Sequence, residues 1–174
     1  SMGNAVDFGD RYIGDGWRSS GGAASSTRAI FSGGRGPSGN TNVMDYVTLS
    51  STGNSTDFGD QTVERRYCAG LSSSTRAVYG AGRGPSPVLN VMDYVTIAST
   101  GNATDFGDLL SAYTNPATSS NSVRGIFTGG TSPESNNTIQ YITIASTGNA
   151  TNFGDLTVTR GGAFGSSGSH GGLQ

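Results

Sequence analysis

Apolar and polar positions along this chain fall into one short pattern that keeps returning. Val91-Met92-Asp93-Tyr94-Val95-Thr96-Ile97-Ala98 is rich in β-branched and aromatic residues, with turn formers on both sides. That is the signature of a strand. Ser99-Thr100-Gly101-Asn102 reads as a tight hairpin, because Gly and Asn tolerate the positive φ such a turn needs. Ala103 to Leu109 is then the return strand. Arg76 to Gly80 is another strand, ended by Gly82-Arg83-Gly84-Pro85, and Arg65 to Leu71 is a fourth, rich in small residues. No stretch sustains the i, i+3, i+4, i+7 apolar spacing of a helix.

The unit recurs in register. Gly3-Asn4, Gly53-Asn54, Gly101-Asn102 and Gly148-Asn149 each open a segment ending Phe-Gly-Asp, at 8–10, 58–60, 106–108 and 153–155, with spacings of 50, 48 and 47 residues. Arg28-Ala29-Ile30-Phe31 returns as Arg76-Ala77-Val78-Tyr79 and Arg124-Gly125-Ile126-Phe127. Met44-Asp45-Tyr46-Val47-Thr48 returns as Met92-Asp93-Tyr94-Val95-Thr96 and Ile139-Gln140-Tyr141-Ile142-Thr143. Four short strands repeated at this period predict blades of a β-propeller. A lone blade has two apolar faces and buries neither, whereas stacking blades around an axis buries both.

The chain therefore divides into an outer strand at 1–10, three full repeats at 11–60, 61–108 and 109–155, and a partial repeat at 156–174 whose inner strand spans Thr157 to Gly168. Ser1-Met2 reads as a cloning remnant and is left out of the fold argument. The expected fold is all-β, with about 3.5 four-stranded antiparallel blades per chain. Propellers have typically four to eight blades. Closure is expected from a homodimer of about seven blades, with strands exchanged between chains as in domain swapping. A monomeric four-bladed closure and a fragment of a longer propeller are the alternatives.

Composition narrows the function. Of 174 residues, 29 are Gly, 25 Ser, 20 Thr and 12 Asn, and only 33% are hydrophobic, which excludes a thick helical core. No apolar run approaches the ~20 residues of a membrane-spanning helix. The net charge is -2, with ten Arg and no Lys, so there is no basic field for nucleic acid and no polybasic patch for a membrane surface. No apolar leader is visible, which leaves location open between a virion and the cytoplasm.

The order of Arg66, the small-residue run Ala69-Gly70, the aromatic strand Val78-Tyr79 with Gly82, then Tyr94 and Phe106 resembles the kelch-type β-propeller repeat. Phe31, Gly33-Gly34, Tyr46 and Phe58 carry the same likeness in the first repeat. Phe stands where kelch repeats have an outer-strand Trp, and Ala81 breaks the glycine pair in the second repeat. The wording Tyr-Val-Thr-Ile-Ala-Ser-Thr-Gly-Asn-Ala-Thr-Asp-Phe-Gly-Asp also resembles repeats of marine phage tail and virion-associated proteins. These resemblances imply a propeller fold and leave the ligand open.

Candidate chemistry is sparse. Arg35 and Arg83 sit in Gly-Arg-Gly-Pro loops, where a guanidinium can hold a carboxylate or sulfate bidentately, or simply face water in a turn. Trp17 near the first inner strand is a candidate for stacking on a sugar, with a seam or interface role as the expected one. Arg28 and Arg76 recur seventeen residues before Asp45 and Asp93, which suggests a repeated ion pair, replaced by a hydrogen bond between Arg124 and Gln140. Asp57/Asp60 and Asp105/Asp108 lack the ligand spacing of a calcium loop, so capping of a strand-ending turn is expected. Cys68 is expected to be a packed, inert thiol, and His170 lies in a Gly/Ser tail. No catalytic residue, metal or cofactor is expected. The expectation is a non-enzymatic binding or structural module, with a glycan or a protein as its ligand, and alternatively a lectin-like propeller or a phage receptor-binding component.

Overall fold

A computed structural model describes residues 3–12, 21–131 and 134–166. Among the described residues there is no helix, and the strands form three four-stranded antiparallel sheets. The first sheet runs β1 (Gly21–Ala24), β2 (Arg28–Gly36), β3 (Gly39–Thr48) and β4 (Thr56–Asp60). The second runs β5 (Ala69–Ser72), β6 (Arg76–Gly80), β7 (Val91–Thr96) and β8 (Thr104–Asp108). The third runs β9 (Ala117–Ser120), β10 (Arg124–Thr128), β11 (Asn136–Thr143) and β12 (Thr151–Arg160). Each sheet is a meander in chain order, the pattern of a propeller blade.

The first strands of the three sheets adjoin one another, which marks them as the inner ends. Small side chains permit this crowding, and hydroxyls tie it. Ser72 Oγ donates to the Ala24 carbonyl (2.6 Å), Thr118 Oγ1 to that of Gly70 (2.7 Å) and Ser120 Oγ to that of Ser72 (2.8 Å).

The core lies between the sheets. Ile30, Met44 and Phe58 of the first sheet pack against Ala77, Tyr79 and Val95 of the second. Val78, Met92 and Phe106 of the second pack against Phe127, Ile142 and Ile144 of the third. Alternate residues of one strand serve opposite interfaces, as the two-residue period requires.

The strand boundaries correct three expectations. Gly101-Asn102 does not make a tight hairpin: β7 stops at Thr96 and β8 begins at Thr104, and the segment between them runs along the preceding sheet. Arg65 to Cys68 is not strand but the crossing from β4 to β5, with Tyr67 in the left-handed region at φ 60°. The C-terminal inner strand was expected from Thr157, yet β12 continues to Arg160. Beyond it, Gly165 and Ser166 lie beside β9, with Ser119 Oγ donating to the Ser166 carbonyl (2.8 Å).

The glycine pair Gly129-Gly130 follows β10 and its counterpart Ala81-Gly82 follows β6, while Gly33-Gly34 lies at a bulge within β2. Gly33, Ala81 and Gly129 share a left-handed φ of 64–66°, which an alanine tolerates at a modest cost. A Cβ would lie 2.6 Å from the Arg65 carbonyl oxygen at Gly33, 2.7 Å from that of Arg160 at Gly129 and 2.8 Å from that of Arg66 at Gly82. The second repeat is the one that carries a side chain here, Ala81, at the same φ as the glycines of the other two.

Candidate functional site

Each outer strand carries a bulge at the Phe of Phe-Gly-Asp. Met44 pairs with Gly59 and Asp45 with Asp57, so Phe58 is the extra residue, and Phe106 and Phe153 are skipped in the same way. The bulge turns each ring edge-on to the neighbouring Tyr: Phe58 to Tyr46 (5.7 Å), Phe106 to Tyr94 (6.0 Å) and Phe153 to Tyr141 (6.1 Å).

The following glycine and aspartate form a clip onto the next sheet. Gly53 N donates to the Phe8 carbonyl, Gly101 N to that of Phe58 and Gly148 N to that of Phe106, each at 2.7 Å. The Asn beside each glycine returns a bond through its side chain: Asp10 N donates to Asn54 Oδ1, Asp60 N to Asn102 Oδ1 and Asp108 N to Asn149 Oδ1, at 2.9–3.0 Å. The approach is so close that a Cβ on Gly9, Gly59 or Gly107 would stand 2.4–2.6 Å from backbone atoms of the opposing Gly.

The fourth Phe-Gly-Asp, at 153–155, has no such cover. Phe153 is 58% exposed, against 2% for Phe58 and Phe106, and a Cβ on Gly154 would meet nothing within 4 Å. At the other end Gly3 and Asn4 are exposed, and a Cβ on Gly3 also meets nothing. Val6, Phe8 and Tyr12 add exposed apolar surface near this end, and Val158 and Phe164 do so near the other.

The proposed Arg–Asp pairs do not form. Arg28 is opposite Thr48 while Asp45 is opposite Phe31, an odd offset that places the two side chains on opposite faces of the sheet. The second and third sheets repeat this register, so Arg76 misses Asp93 and Arg124 misses Gln140. Each arginine instead stacks on a Tyr of its own face: Arg28 on Tyr46 (4.7 Å), Arg76 on Tyr94 (4.2 Å) and Arg124 on Tyr141 (4.4 Å). Arg28 Nη1 also donates to the Ile97 carbonyl (3.0 Å) and Arg76 Nη1 to the Ile144 carbonyl (2.9 Å), each in the following sheet.

The buried carboxylates have other partners. Asp45 accepts from Arg11 and from Ser55 Oγ (2.6 Å), and Asp93 accepts from Arg65 and from Thr62 Oγ1. Arg65 is fully buried and also donates Nη1 to the Val91 carbonyl (2.9 Å) and Nη2 to the Tyr79 carbonyl (3.3 Å). Its own carbonyl accepts from Gly34 N (2.8 Å), so the residue pins the second sheet to the first. Tyr113 stands at the equivalent place one repeat on: its carbonyl accepts from Gly82 N (2.9 Å) and its hydroxyl from Gln140 Nε2 (2.6 Å). The motif spacing marks Arg65 and Tyr113 as equivalent, five residues past each Phe-Gly-Asp, but nothing in the pattern says that they reach into the next sheet.

Arg35 and Arg83 are both exposed. Arg35 lies within β2 rather than in a loop, opposite Asn40. Asn40 joins them: its Nδ2 donates to the Arg83 carbonyl (3.0 Å) and its Oδ1 accepts from Arg66 Nη1 (3.1 Å). Arg66 and Arg83 form an isolated antiparallel bridge. Arg35, Arg66 and Arg83 therefore gather at one rim between the first two sheets, and Arg66 Nε is buried without a partner. Trp17, Ser132, Pro133 and His170 lie outside the described residues.

Cys68 is buried, and burial pushes its thiol pKa up against the opposing pull of Arg65, which keeps it a thiol rather than a nucleophilic thiolate. Burial likewise raises the phenol of Tyr79 well above its usual range, helped by Cys68 and Asp45. The phenol of Tyr113 is raised by burial too, partly offset by its bond from Gln140. Asp57 and Asp105 lie within β4 and β8, so the expected turn caps are not made there. At the chain ends the first acid position does cap: Gly9 N donates to Asp7 Oδ1 and Gly154 N to Asn152 Oδ1, both at 3.0 Å. Among the described residues no group of His, Cys, Asp and Glu has the arrangement of a metal site.

A groove of about 560 Å³ runs over the inner strands, lined by backbone and by small side chains such as Ala24, Ser72 and Ser120. No protein-family model matches this chain, and no curated protein sequence matches it.

Proposed function

We propose that this protein is a non-enzymatic propeller module of kelch-like type, structural first and binding second, whose ring is completed by another copy of itself. The observation that supports it is how the repeated polar residues are spent. Asp45, Asp93, Arg65, Arg28 and Arg76 all hold one sheet to another or to the chain that covers it. What is left over is an unfilled junction at each end of the stack. An open stack exposes apolar faces that a ring would bury. Arg124 is already stacked on Tyr141 on the open face, in the posture from which Arg28 and Arg76 reach the next sheet. Sedimentation equilibrium tests the reading. A mass of twice 17.6 kDa is expected at micromolar concentration, and a mass of 17.6 kDa would overturn it.

A second reading rests on the arginine rim. Arg35, Arg66 and Arg83, with Asn40 between them, suit a glycan that carries a carboxylate or sulfate. A glycan array tests it. Binding to acidic glycans that is lost in Arg35→Ala with Arg83→Ala supports a lectin-like role, and an array without acidic hits removes it.

A further inference from the structure

We propose that Gly3-Asn4 of one copy docks on Phe153-Gly154-Asp155 of another, so that the chain joins head to tail through the same clip that joins its own sheets. The inference rests on the dimer reading above and names the surfaces involved. Four Gly-Asn pairs each open a segment that ends in one of the four Phe-Gly-Asp motifs. Three matches form inside it: Phe8-Gly9-Asp10 with Gly53-Asn54, Phe58-Gly59-Asp60 with Gly101-Asn102, and Phe106-Gly107-Asp108 with Gly148-Asn149. One Gly-Asn and one Phe-Gly-Asp remain, at opposite ends, and these two do not meet within a single chain.

The leftover halves are complementary in detail. Each internal clip takes a Gly N–H onto the Phe carbonyl and an Asn Oδ1 onto the Asp N–H. Gly3 and Asn4 offer those two groups, and Phe153 and Asp155 the two they need. Gly154 keeps the positive φ (145°) of Gly9, Gly59 and Gly107 (132–140°), although none of the described residues approaches it. Asn152 Oδ1 holds Gly154 N as Asp7 Oδ1 holds Gly9 N in the docked segment at the other end of the chain, a bond that the clips at 58–60 and 106–108 do without. Gly165 and Ser166 extend the same logic at the hub. A Cβ on Gly165 would meet the Thr118 carbonyl as one on Gly70 would meet the Gly22 carbonyl, so this segment follows the path of a next inner strand. A seam would then take its inner strand from one chain and its outer strand from the other. The interface is heterologous, so it closes a ring only if the rotation permits.

The test compares solution masses of the wild type, Asn4→Ala, Gly154→Val and Asn102→Ala over a concentration series. Asn4 is exposed in the single chain, so its loss leaves the fold intact. N4A and G154V are each expected to weaken the dimer by about tenfold or more, the scale of one lost clip bond or one blocked approach. N102A breaks an internal clip instead and is expected to lower the melting temperature while the dimer persists. A wild-type dimer indifferent to N4A and G154V overturns the docking and leaves the dimer reading standing. A wild-type monomer overturns both, and if N4A also lowers its melting temperature the two ends close on one chain. A mass that climbs past the dimer with concentration and falls in N4A supports the clip and overturns the closed ring.

Discussion

The second and third sheets have nearly the same residues in the same register, yet they live in different surroundings. The second is packed on both faces, and its Phe106 and Asp93 are sealed. The third is packed on one face only. Its inward Phe127 and Gln140 are as buried as their counterparts, while its outward Phe153 is more than half exposed. Strand pairing is complete in both, so hydrogen-bonded sheets are not what sets them apart. The difference lies in the junctions, and the stability of the fold should be read there.

The largest effect is expected at the two polar pins. Asp93→Ala leaves the buried Arg65 guanidinium without its counter-ion, which costs about 3–5 kcal/mol. Gln140→Ala leaves a neutral Tyr113 hydroxyl and the Leu110 N–H without their partner, which costs about 1–3 kcal/mol. Urea unfolding of both variants measures the gap. The double change Arg65→Tyr with Asp93→Gln, which imports the third-sheet pair, is expected to recover most of the D93A loss. Equal losses at the two pins would mean that charge plays no part in the contrast.

Next come the bulged rings. Phe106→Ala empties a filled junction and is expected to cost about 3–5 kcal/mol. Phe153→Ala removes a ring that faces solvent in the single chain, so the concentration-independent stability should change by less than about 1 kcal/mol. Only association should suffer. A comparable loss in both would place Phe153 in a packed core and overturn the open-edge description.

The sheets themselves were legible in the chain. β6 runs from Arg76 to Gly80, the span the sequence predicts, and β7 and β8 fall within a residue or two of their predicted ends. The junctions were harder to read. Gly101-Asn102 carries the residues of a hairpin turn, but their local preference is equally served by running along a neighbour, and only the preceding Phe58 carbonyl decides between the two. Arg28 and Asp45 look paired in a linear count. The register puts them on opposite faces, and register follows from the hairpin at Pro37-Ser38, not from charge. Arg65 was invisible as a pin because it keeps a fixed distance from Phe-Gly-Asp but lies outside any strand, where no two-residue period tells which way its side chain reaches. The arginine rim was half legible: Arg35 and Arg83 stood out as exposed, but Asn40 and Arg66 join them only through the fold.

Glycine substitutions sharpen the contrast further. Gly107→Ala and Gly154→Ala both force a side chain onto positive φ, at 132° and 145°, and share that strain of about 1–3 kcal/mol. Only at 107 does the new methyl also collide with the next loop, whose Gly148 backbone would lie 2.6 Å away. The difference between the two variants therefore isolates the close approach, and about 1–3 kcal/mol is expected for it from overpacking. Melting curves of the pair read it directly. If the difference vanishes, the loop gives way freely and the clip is not a tight contact.

The smallest effect is in pH, and it comes from the phenol of the Tyr113 pin. Burial raises the Tyr113 phenol above its usual pKa in the folded chain, so the folded state holds its proton after the unfolded chain has released it. The stability this contributes is complete below about pH 10, the ordinary phenol value, and drains away as the pH climbs toward the folded value. Tyr113→Phe should therefore cost about 1 kcal/mol at pH 8, for the bond from Gln140, and less at pH 11. Tyr79 is raised in the same direction and remains in the variant, so the alkaline loss shrinks without disappearing. Urea midpoints of wild type and Y113F at the two pH values measure the narrowing. A gap that widens with pH would mean that the phenol ionises more easily folded than unfolded, and that this junction is wet rather than sealed.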